Sequence, residues 1–259
     1  MREGSAVVID IPELKCSVNV ALDATGRGSK SFKVKKLQRW SPDSPKLYDI
    51  HLSYLSGAAE AGDSISEKIG FRNITVDGTR ILVNGSPTFM RSVSFHEEIP
   101  QRMGRAFSEA DAWQLLSEAK ELGVNMVRLA HYPQNEYMGW YAPWPVEPSL
   151  CRWNVVPDKP VIISEFGCEA LYGQRGNAEW AGSWSEDYQA ANYLRNLEMF
   201  EQIPNLAGVS PWVLYDFRSP YRFHPTNQDG WNRKGLVSDQ GQRKKAWYVM
   251  HDYYMKINC

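Results

Sequence analysis

The chain has 259 residues with a formal net charge of -1 at pH 7, and 43% of its residues are hydrophobic. This composition is typical of a soluble globular protein with one large domain, or with a large and a small one. The charge balance gives no reason to expect nucleic acid or an anionic membrane as a partner, and no apolar run approaches the roughly 20 residues of a membrane span. The first residues do not have the pattern of a signal peptide. This does not select a location, and cytoplasmic, periplasmic and secreted proteins are all possible.

The four cysteines, Cys16, Cys151, Cys168 and Cys259, are scattered along the chain. No CxxC pair and no Cys/His cluster occurs, so we expect no structural zinc site. We expect free thiols, with a disulfide as the alternative, and we expect no metal and no cofactor. Aromatic residues make up 12% of the chain and include ten Trp. Such a content is typical of a large core, and also of sites where flat ligands such as sugars stack on aromatic rings.

The first part of the chain, residues 6–76, predicts β-structure alone. Segments with partial apolar alternation predict strands at 7–9, 17–22, 31–34 and 48–52. Turn-forming residues separate them, and a loop is predicted at 58–66. Short strands at this spacing are typical of a small β-sandwich.

Two hairpin signals, Asp77-Gly78 and Asn84-Gly85, predict a β-ribbon that leads into a second domain. Beyond them strands alternate with helices. Strands are predicted at 88–95, 124–130, 161–164 and 206–214, and helices at 185–203 and 244–255. This alternation predicts a parallel sheet, either open or closed into a barrel.

One further helix has explicit signals at both ends. Ser108 is a good N-cap with Asp111 three residues on, as in a capping box, and Gly123 is a stop signal. Residues at helical spacing between them predict one apolar face, made of Ala110, Trp113, Leu116, Ala119 and Leu122.

The predicted strand at 161–164 is short and apolar, and it is followed at once by Glu165 and then by Gly167. A buried parallel strand that ends in a carboxylate presents an acid at the ligand-binding edge of a barrel. The alternative is a strand end with a solvated glutamate, and the segment alone does not decide between the two.

Several segments form a series along the chain. They are Trp-Ser-Pro-Asp-Ser-Pro-Lys-Leu-Tyr at 40–48, Gly-Phe-Arg at 70–72, Ile-Leu-Val-Asn-Gly at 81–85, Phe-His-Glu-Glu at 95–98, Asn-Met-Val-Arg-Leu-Ala-His-Tyr-Pro at 125–133, Asn-Glu-Tyr-Met-Gly-Trp-Tyr at 135–141, Ile-Ser-Glu-Phe-Gly at 163–167, Ser-Pro-Trp-Val-Leu-Tyr-Asp-Phe-Arg at 210–218 and Asn-Arg-Lys-Gly-Leu-Val at 232–237. Together and in this order they resemble glycoside hydrolase family 2, the β-galactosidase, β-glucuronidase and β-mannosidase family. The five segments between 95 and 218 resemble the first, second, sixth, seventh and eighth strands of the family's barrel.

The resemblance implies an α/β plus all-β fold, with an immunoglobulin-like β-sandwich over 1–76 and a TIM-like catalytic barrel over 77–259. Two parts of the family pattern have no counterpart in the sequence: the N-terminal jelly-roll domain, and barrel strands three to five. Residues 88–259 are accordingly fewer than the roughly 200 of the smallest complete barrels. We therefore expect a shortened barrel.

The fourth barrel strand of the family carries an Asn-Glu pair whose glutamate is the general acid/base, and we find no counterpart. Asn135-Glu136 resembles this pair, but the continuation Tyr-Met-Gly-Trp-Tyr assigns it to the sixth strand. The glutamates that could still approach Glu165 are Glu97, Glu98, Glu136 and Glu169, and nothing in the sequence selects one.

The resemblance also implies a role for each matching residue. Glu165 matches the catalytic nucleophile, and Tyr137 matches the tyrosine that hydrogen-bonds it. The implied substrate-binding residues are His96 and His131 at sugar hydroxyls, Arg128 orienting the site, Trp212 as the floor of the sugar subsite, and Asn232 with Lys234 around a uronic acid carboxylate. Each has a structural alternative, such as a packed aromatic ring, a satisfied histidine or a salt bridge.

The implied activity is that of a retaining β-glycosidase, of β-glucuronidase or β-galactosidase type, acting on a β-linked sugar or oligosaccharide. Such enzymes use two carboxyl groups about 5–5.5 Å apart, and the sequence supplies one of them. The alternatives are a non-catalytic carbohydrate-binding or interaction protein, and a gene product without a selected function. A barrel with fewer strands must close differently, expose an edge or take an element from another copy of the chain. A homo-oligomer is therefore one of the possible states.

Overall fold

The computed structural model describes residues 5–56, 61–96, 98–100, 104–129, 153 and 155–257. The chain divides into two compact units, one made of Met1–Thr75 with Val83–Ser86, the other of Val76–Leu82 with Pro87–Cys259. None of the helices in the described ranges combines the length and the hydropathy needed to cross a membrane.

The first unit is built on a four-stranded antiparallel sheet with the strand order β2-β1-β3-β4. Its strands are β1 (Ala6–Ile11), β2 (Cys16–Ala21), β3 (Tyr48–Leu55) and β4 (Ala61–Ile69). Ile11, Tyr48 and Ile50 are buried together and form a small core. The Tyr48 hydroxyl accepts a 2.9 Å hydrogen bond from the backbone N–H of Gln38, which ties the long connection between β2 and β3 to the sheet.

Two expectations for this unit are wrong. Residues 31–34 form no strand, and Phe32 is 40% exposed. The short apolar pattern of this segment therefore does not lead to pairing with a neighbouring strand. Residues 61–66, expected in a loop, belong to β4, which pairs with β3 along its length. As a polar edge strand, β4 is held by backbone hydrogen bonds rather than by burial, and it therefore lacks the apolar alternation that marks a strand in sequence.

A three-stranded sheet with the order β5-β6-β7 follows along the chain. Its strands are β5 (Ile74–Asp77), β6 (Arg80–Val83) and β7 (Ser86–Pro87). Both predicted hairpin turns are confirmed, with positive φ angles of 56° at Gly78, 55° at Asn84 and 89° at Gly85. Glycine and asparagine adopt this left-handed backbone more readily than other residues.

The second unit contains a parallel sheet with the strand order β10-β11-β8-β9. Its strands are β8 (Met90–Phe95), β9 (Met126–Leu129), β10 (Val161–Ile163) and β11 (Leu206–Val209). Because β11 pairs with β8, the last strand of this sheet along the chain joins the first one, as happens when a barrel closes. Gly208 allows this approach, since a Cβ there would lie 2.6 Å from the Cβ of Met90.

Three helices pack against this sheet, namely α1 (Glu109–Glu121), α2 (Glu186–Phe200) and α3 (Lys245–Lys256). They share one contiguous core with β8, β10 and β11, in which Val93, Phe166, Phe200 and Met250 are fully buried. On α3, the Tyr254 hydroxyl contacts the carbonyl oxygens of Ser92 and, at 3.2 Å, Val209. This contact anchors α3 to β8 and β11.

The ends of α1 are as the sequence predicts, and its buried face is predicted in part, since Ala119 and Leu122 are buried and Ala110 is exposed. Ser108 and Asp111 form the capping box, and the helix stops before Gly123, where φ is +90°. However, Trp113 is 65% and Leu116 45% exposed. Asp111 and Leu115 complete the face that meets the core, in place of Ala110, Trp113 and Leu116.

Candidate active site

The carboxyl ends of the four parallel strands lie at one edge of the sheet, and four of the six predicted site residues within the described ranges lie there. His96 follows β8, Arg128 lies near the end of β9, Glu165 follows β10, and Trp212 lies just beyond β11. Enzymes with parallel sheets bind their ligands at this edge, because the loops that leave the strands converge there.

Glu165 is 5% exposed, and its carboxylate is paired with Arg128. The distance between Arg128 Nη1 and Glu165 Oε1 is 2.7 Å. Arg128 also donates a 3.4 Å hydrogen bond to the Ser94 hydroxyl on β8, and its guanidinium carbon lies 5.8 Å from the centre of the Trp212 ring. A buried carboxylate is costly unless a cation or hydrogen-bond donors compensate it, and Arg128 supplies that compensation.

The backbone around Glu165 is fixed on both sides. The N–H of Trp212 donates a 2.9 Å hydrogen bond to the carbonyl of Phe166. Gly167 has a φ of +122°, and a Cβ there would lie 2.5 Å from the Tyr193 hydroxyl oxygen on α2. Glycine is therefore required two residues after the carboxylate, both for its backbone conformation and for the close approach of α2.

An aromatic row continues the site from Trp212 towards His96. The ring of Trp212, which is 4% exposed, meets Phe217 edge-on at a centroid distance of 6.0 Å. Phe217 in turn stacks on His96, with centroids 3.7 Å apart. His96 Nδ1 lies 3.7 Å from Glu98 Oε1. Phe217 was not among the predicted site residues, although it belongs to the segment 210–218 that carries the resemblance.

A short antiparallel ribbon of β12 (Phe217–Arg218) and β13 (Trp231–Asn232) leads to two more predicted binding residues, since Asn232 ends β13 and Lys234 follows two residues on. Asn232 and Lys234 are 4% and 2% exposed, and the Asn232 side-chain oxygen accepts a 3.1 Å hydrogen bond from the Lys234 N–H. The Lys234 carbonyl accepts a 3.3 Å hydrogen bond from Val213, so this segment lies beside the residue that follows Trp212.

Lys234 also lies close to the chain that follows Glu165. Burial raises the pKa of the Cys168 thiol well above its usual range, and the positive charges of Lys234 and Lys244 oppose that rise. Cys168 is completely buried and is a free cysteine, as is Cys16. A cation therefore stands near the segment that begins at the predicted nucleophile.

A buried ion pair beneath the site was missed from the sequence. Lys244 donates hydrogen bonds to the Ala170 carbonyl at 2.7 Å, to the Arg233 carbonyl at 2.9 Å and to Asp216 Oδ1 at 2.8 Å. Burial raises the pKa of Asp216 to about 6, while Lys244, Arg233 and the N–H of Gly235 act to lower it. The pair connects the segment after Glu165, the segment after Trp212 and the segment between Asn232 and Lys234. Neither residue has a sequence pattern around it that predicts the pairing.

The other predicted residues divide into two groups. Tyr137, His131, Glu97 and Glu136 lie outside the described residues. Two glutamates that could have approached Glu165 have other partners: Glu98 accepts a 2.8 Å hydrogen bond from the Arg218 N–H, and Glu169, which is 1% exposed, pairs with Arg222. Within the described ranges, no cluster of His, Cys, Asp and Glu has the composition of a metal site.

Comparison with known proteins defines the family. Residues 7–72 match the model of glycosyl hydrolases family 2, and residues 74–144 match that of the family 2 TIM barrel domain. The chain belongs to glycosyl hydrolase family 2, and its fold is an immunoglobulin-like β-sandwich followed by a shortened TIM-like barrel.

Among curated relatives, the β-galactosidase of Pseudoalteromonas haloplanktis is 30% identical over 208 residues, which are 78% of this chain and 18% of that protein. The β-glucuronidase of Streptococcus agalactiae is 31% identical over 140 residues, which are 48% of this chain and 22% of that protein. The chain thus spans less than a quarter of the length of either relative.

Solved structures share the fold over nearly the whole chain. A family 2 β-galacturonidase from Eisenbergiella tayi bound to galacturonate superposes with a TM-score of 0.83 at 20% identity, covering 99% of this chain and 68% of that one. A β-glucuronidase from Ruminococcus gnavus in complex with D-glucuronic acid gives a TM-score of 0.80 at 17% identity, covering 96% and 62%.

Proposed function

We propose that this protein binds a β-linked uronic acid glycoside at the carboxyl edge of its parallel sheet and that Glu165 is the nucleophile of a retaining β-glycosidase reaction. The observation that carries this proposal is the contact series in which Glu165 pairs with Arg128, Arg128 lies against Trp212, and Trp212 leads through Phe217 to His96. It combines a buried carboxylate with an aromatic wall and polar groups suited to sugar hydroxyls.

Two observations support a uronic acid rather than a neutral sugar. Asn232 and Lys234 are a buried amide and a buried cation on one short segment, and a cation with a hydrogen-bond donor suits a carboxylate. The family members that share this fold include a β-galacturonidase bound to galacturonate and a β-glucuronidase bound to D-glucuronic acid.

The proposed chemistry begins with attack of a Glu165 oxygen on the anomeric carbon. The bond from that carbon to the leaving oxygen breaks, and a glycosyl ester with Glu165 forms. Water then cleaves the ester and restores the carboxylate. Because the sequence offers no counterpart of the family's acid/base, the leaving oxygen departs as an oxyanion and takes its proton from water afterwards. Acid/base assistance contributes about 10²–10⁴-fold, so we propose turnover of aryl glycosides whose phenolate leaves readily.

The second candidate is a carbohydrate-binding protein without turnover. It is favoured by the same lack of an acid/base counterpart, because residues that bind a sugar can remain when one of the two catalytic carboxyl groups is lost. Under this alternative, Arg128 and Glu165 still bind sugar hydroxyls, and no glycosyl ester forms.

The test is release of dinitrophenol from a dinitrophenyl β-glucuronide and from the matching β-galactoside at high enzyme concentration. We expect release from the glucuronide and its loss in Glu165→Gln, while Glu198→Gln on the exposed face of α2 behaves as the wild type. No release from either glycoside would overturn the enzymatic proposal. In that case a rise in melting temperature with methyl β-glucuronide supports the binding alternative, and an unchanged melting temperature overturns it as well.

A further inference from the structure

Glu169 is a buried carboxylate four residues after Glu165, and the reaction proposed above does not use it. It is 1% exposed and has three partners. Its Oε1 pairs with the Arg222 guanidinium, and its Oε2 accepts hydrogen bonds from the Gln228 side chain at 2.9 Å and from the Arg233 backbone N–H at 3.1 Å. A buried carboxylate with this many donors is held in one geometry.

All three partners belong to a single hairpin. The hairpin leaves through β12, turns, and returns through β13. Its arms are joined by backbone hydrogen bonds from Ser219 to Gly230 at 2.8 Å and from Gly230 to Arg222 at 2.9 Å. Glu169 therefore holds the outgoing arm at Arg222, the turn region at Gln228 and the end of the returning arm at Arg233.

The contact at Arg233 matters most, because this residue stands between Asn232 and Lys234. Its N–H donates to Glu169, and its carbonyl accepts a 3.1 Å hydrogen bond from the Ala170 N–H. The peptide groups on both sides of Arg233 are thus fixed to residues 169 and 170. The side chains of Asn232 and Lys234 project from backbone whose position is set by the segment that carries Glu165.

We propose that Glu169 is a positioning residue for specificity: it holds Asn232 and Lys234 in register with Glu165, so that a sugar whose ring is placed for attack also meets the two groups that bind its carboxylate. This inference rests on the proposed uronic acid site. It predicts that the loss of Glu169 affects recognition of the sugar carboxylate far more than recognition of the sugar ring.

The experiment compares binding of methyl β-glucuronide with binding of methyl β-glucoside, which differ only in the carboxylate. Calorimetry on the full chain gives the ratio of the two affinities without any need for turnover. We expect Glu169→Gln to lower the affinity for the glucuronide at least tenfold, because the amide group would present a donor to the donors that now surround the carboxylate. The affinity for the glucoside should change less than about threefold, which is below 1 kcal/mol.

Two further variants make the outcome decisive. Arg222→Gln keeps Glu169 and removes its partner on the outgoing arm, and it should show the same selective loss in smaller degree. Glu179→Gln breaks an exposed Glu–Arg pair with Arg195 and serves as the matched control, with both affinities unchanged. If Glu169→Gln does not fold, Arg222→Gln decides the question.

A wild type that binds neither glycoside, or binds both equally, overturns the proposed uronic acid site and this inference with it. A wild type that prefers the glucuronide, together with variants that keep the wild-type ratio, overturns this inference alone. Equal loss of both affinities in Glu169→Gln and Arg222→Gln also overturns it, since that result indicates a general structural role.

Discussion

Arg128 and Glu165 form an ion pair although they stand at the two outermost strands of a four-stranded sheet. Arg128 lies in β9 and Glu165 follows β10, and the sheet order places β11 and β8 between them. In a flat sheet these outer strands would be roughly 14 Å apart, at about 4.8 Å per strand. Their 2.7 Å contact is made by the ends of two long side chains, which meet over the carboxyl edge of the two strands between them.

This relationship predicts that Arg128 supports stability as well as the site. Arg128→Met leaves Glu165 buried without its cation, and breaking one side of a buried pair typically costs about 3–5 kcal/mol. Urea unfolding measures the change. Arg195→Met is the control, because it removes a cation from the exposed pair with Glu179 and should cost less than about 1 kcal/mol. Equal costs in the two variants would contradict the role assigned to Arg128.

Gly167 offers a test of the backbone at the same point. Gly167→Ala places a methyl group against Tyr193 in a backbone conformation that alanine rarely adopts, and we expect a loss of about 2–4 kcal/mol in unfolding free energy. Gly176→Ala is the matched control, since its new Cβ would meet its nearest atoms at an ordinary 3.6 Å. A Gly167→Ala variant as stable as Gly176→Ala would show that Tyr193 on α2 can move to accommodate the new methyl group without loss of stability.

Local features of this fold are predictable from the sequence because their causes are local. The Ser108–Asp111 capping box depends on residues three apart, and the turns at Gly78 and Asn84-Gly85 depend on the residue types that tolerate positive φ. The family resemblance adds the order of the barrel strands. It places Arg128 and Glu165 at strand ends, and the pairing of their side chains across the sheet is a property of the whole unit.

What the sequence does not predict depends on partners distant in the chain. On α1, either Trp113 with Leu116 or Asp111 with Leu115 continues the stripe of Ala119 and Leu122 at helical spacing. Only packing decides which of the two pairs is buried. Strand β4 is polar because it lies at the edge of its sheet, where backbone hydrogen bonds to β3 hold it and its side chains face solvent. Lys244 and Asp216 meet only after the sheet, the ribbon and α3 have assembled, so their pairing leaves no periodic signal.

The capping box itself predicts a measurable cost. The Ser108 hydroxyl accepts a 3.2 Å hydrogen bond from the Asp111 N–H, and Ser108→Ala should lower the unfolding free energy by about 1 kcal/mol. Ser117→Ala, an exposed substitution in the middle of the same helix, is the control and should be neutral or slightly stabilising. Similar losses in both variants would mean that the serine hydroxyl contributes little at the cap.

The buried Asp216–Lys244 pair predicts a pH dependence. Burial raises the pKa of Asp216 from its usual 3.8 to about 6 in the folded chain. The folded state therefore binds the proton more tightly than the unfolded state, so this group's stabilisation is complete below about pH 4 and is lost as the pH rises through about 6. Relative to Asp216→Asn, which does not titrate, the wild type should lose about 3 kcal/mol of unfolding free energy between those limits. A difference that is constant or rises with pH would refute the direction of this shift.

The role proposed for Trp212 predicts that recognition of the sugar ring can be separated from recognition of its carboxylate. Its ring lies between Arg128 and Phe217, so Trp212→Leu removes the flat surface on which we propose that the sugar rests, at a cost of the order of 2 kcal/mol in stability. The rise in melting temperature with methyl β-glucuronide and with methyl β-glucoside should then disappear together, whereas Glu169→Gln should affect only the glucuronide. Trp180→Leu, at a ring that is 62% exposed, should leave both responses intact. A Trp212→Leu variant that still responds to either sugar would place the ring outside the binding site and confine its role to packing against Phe217.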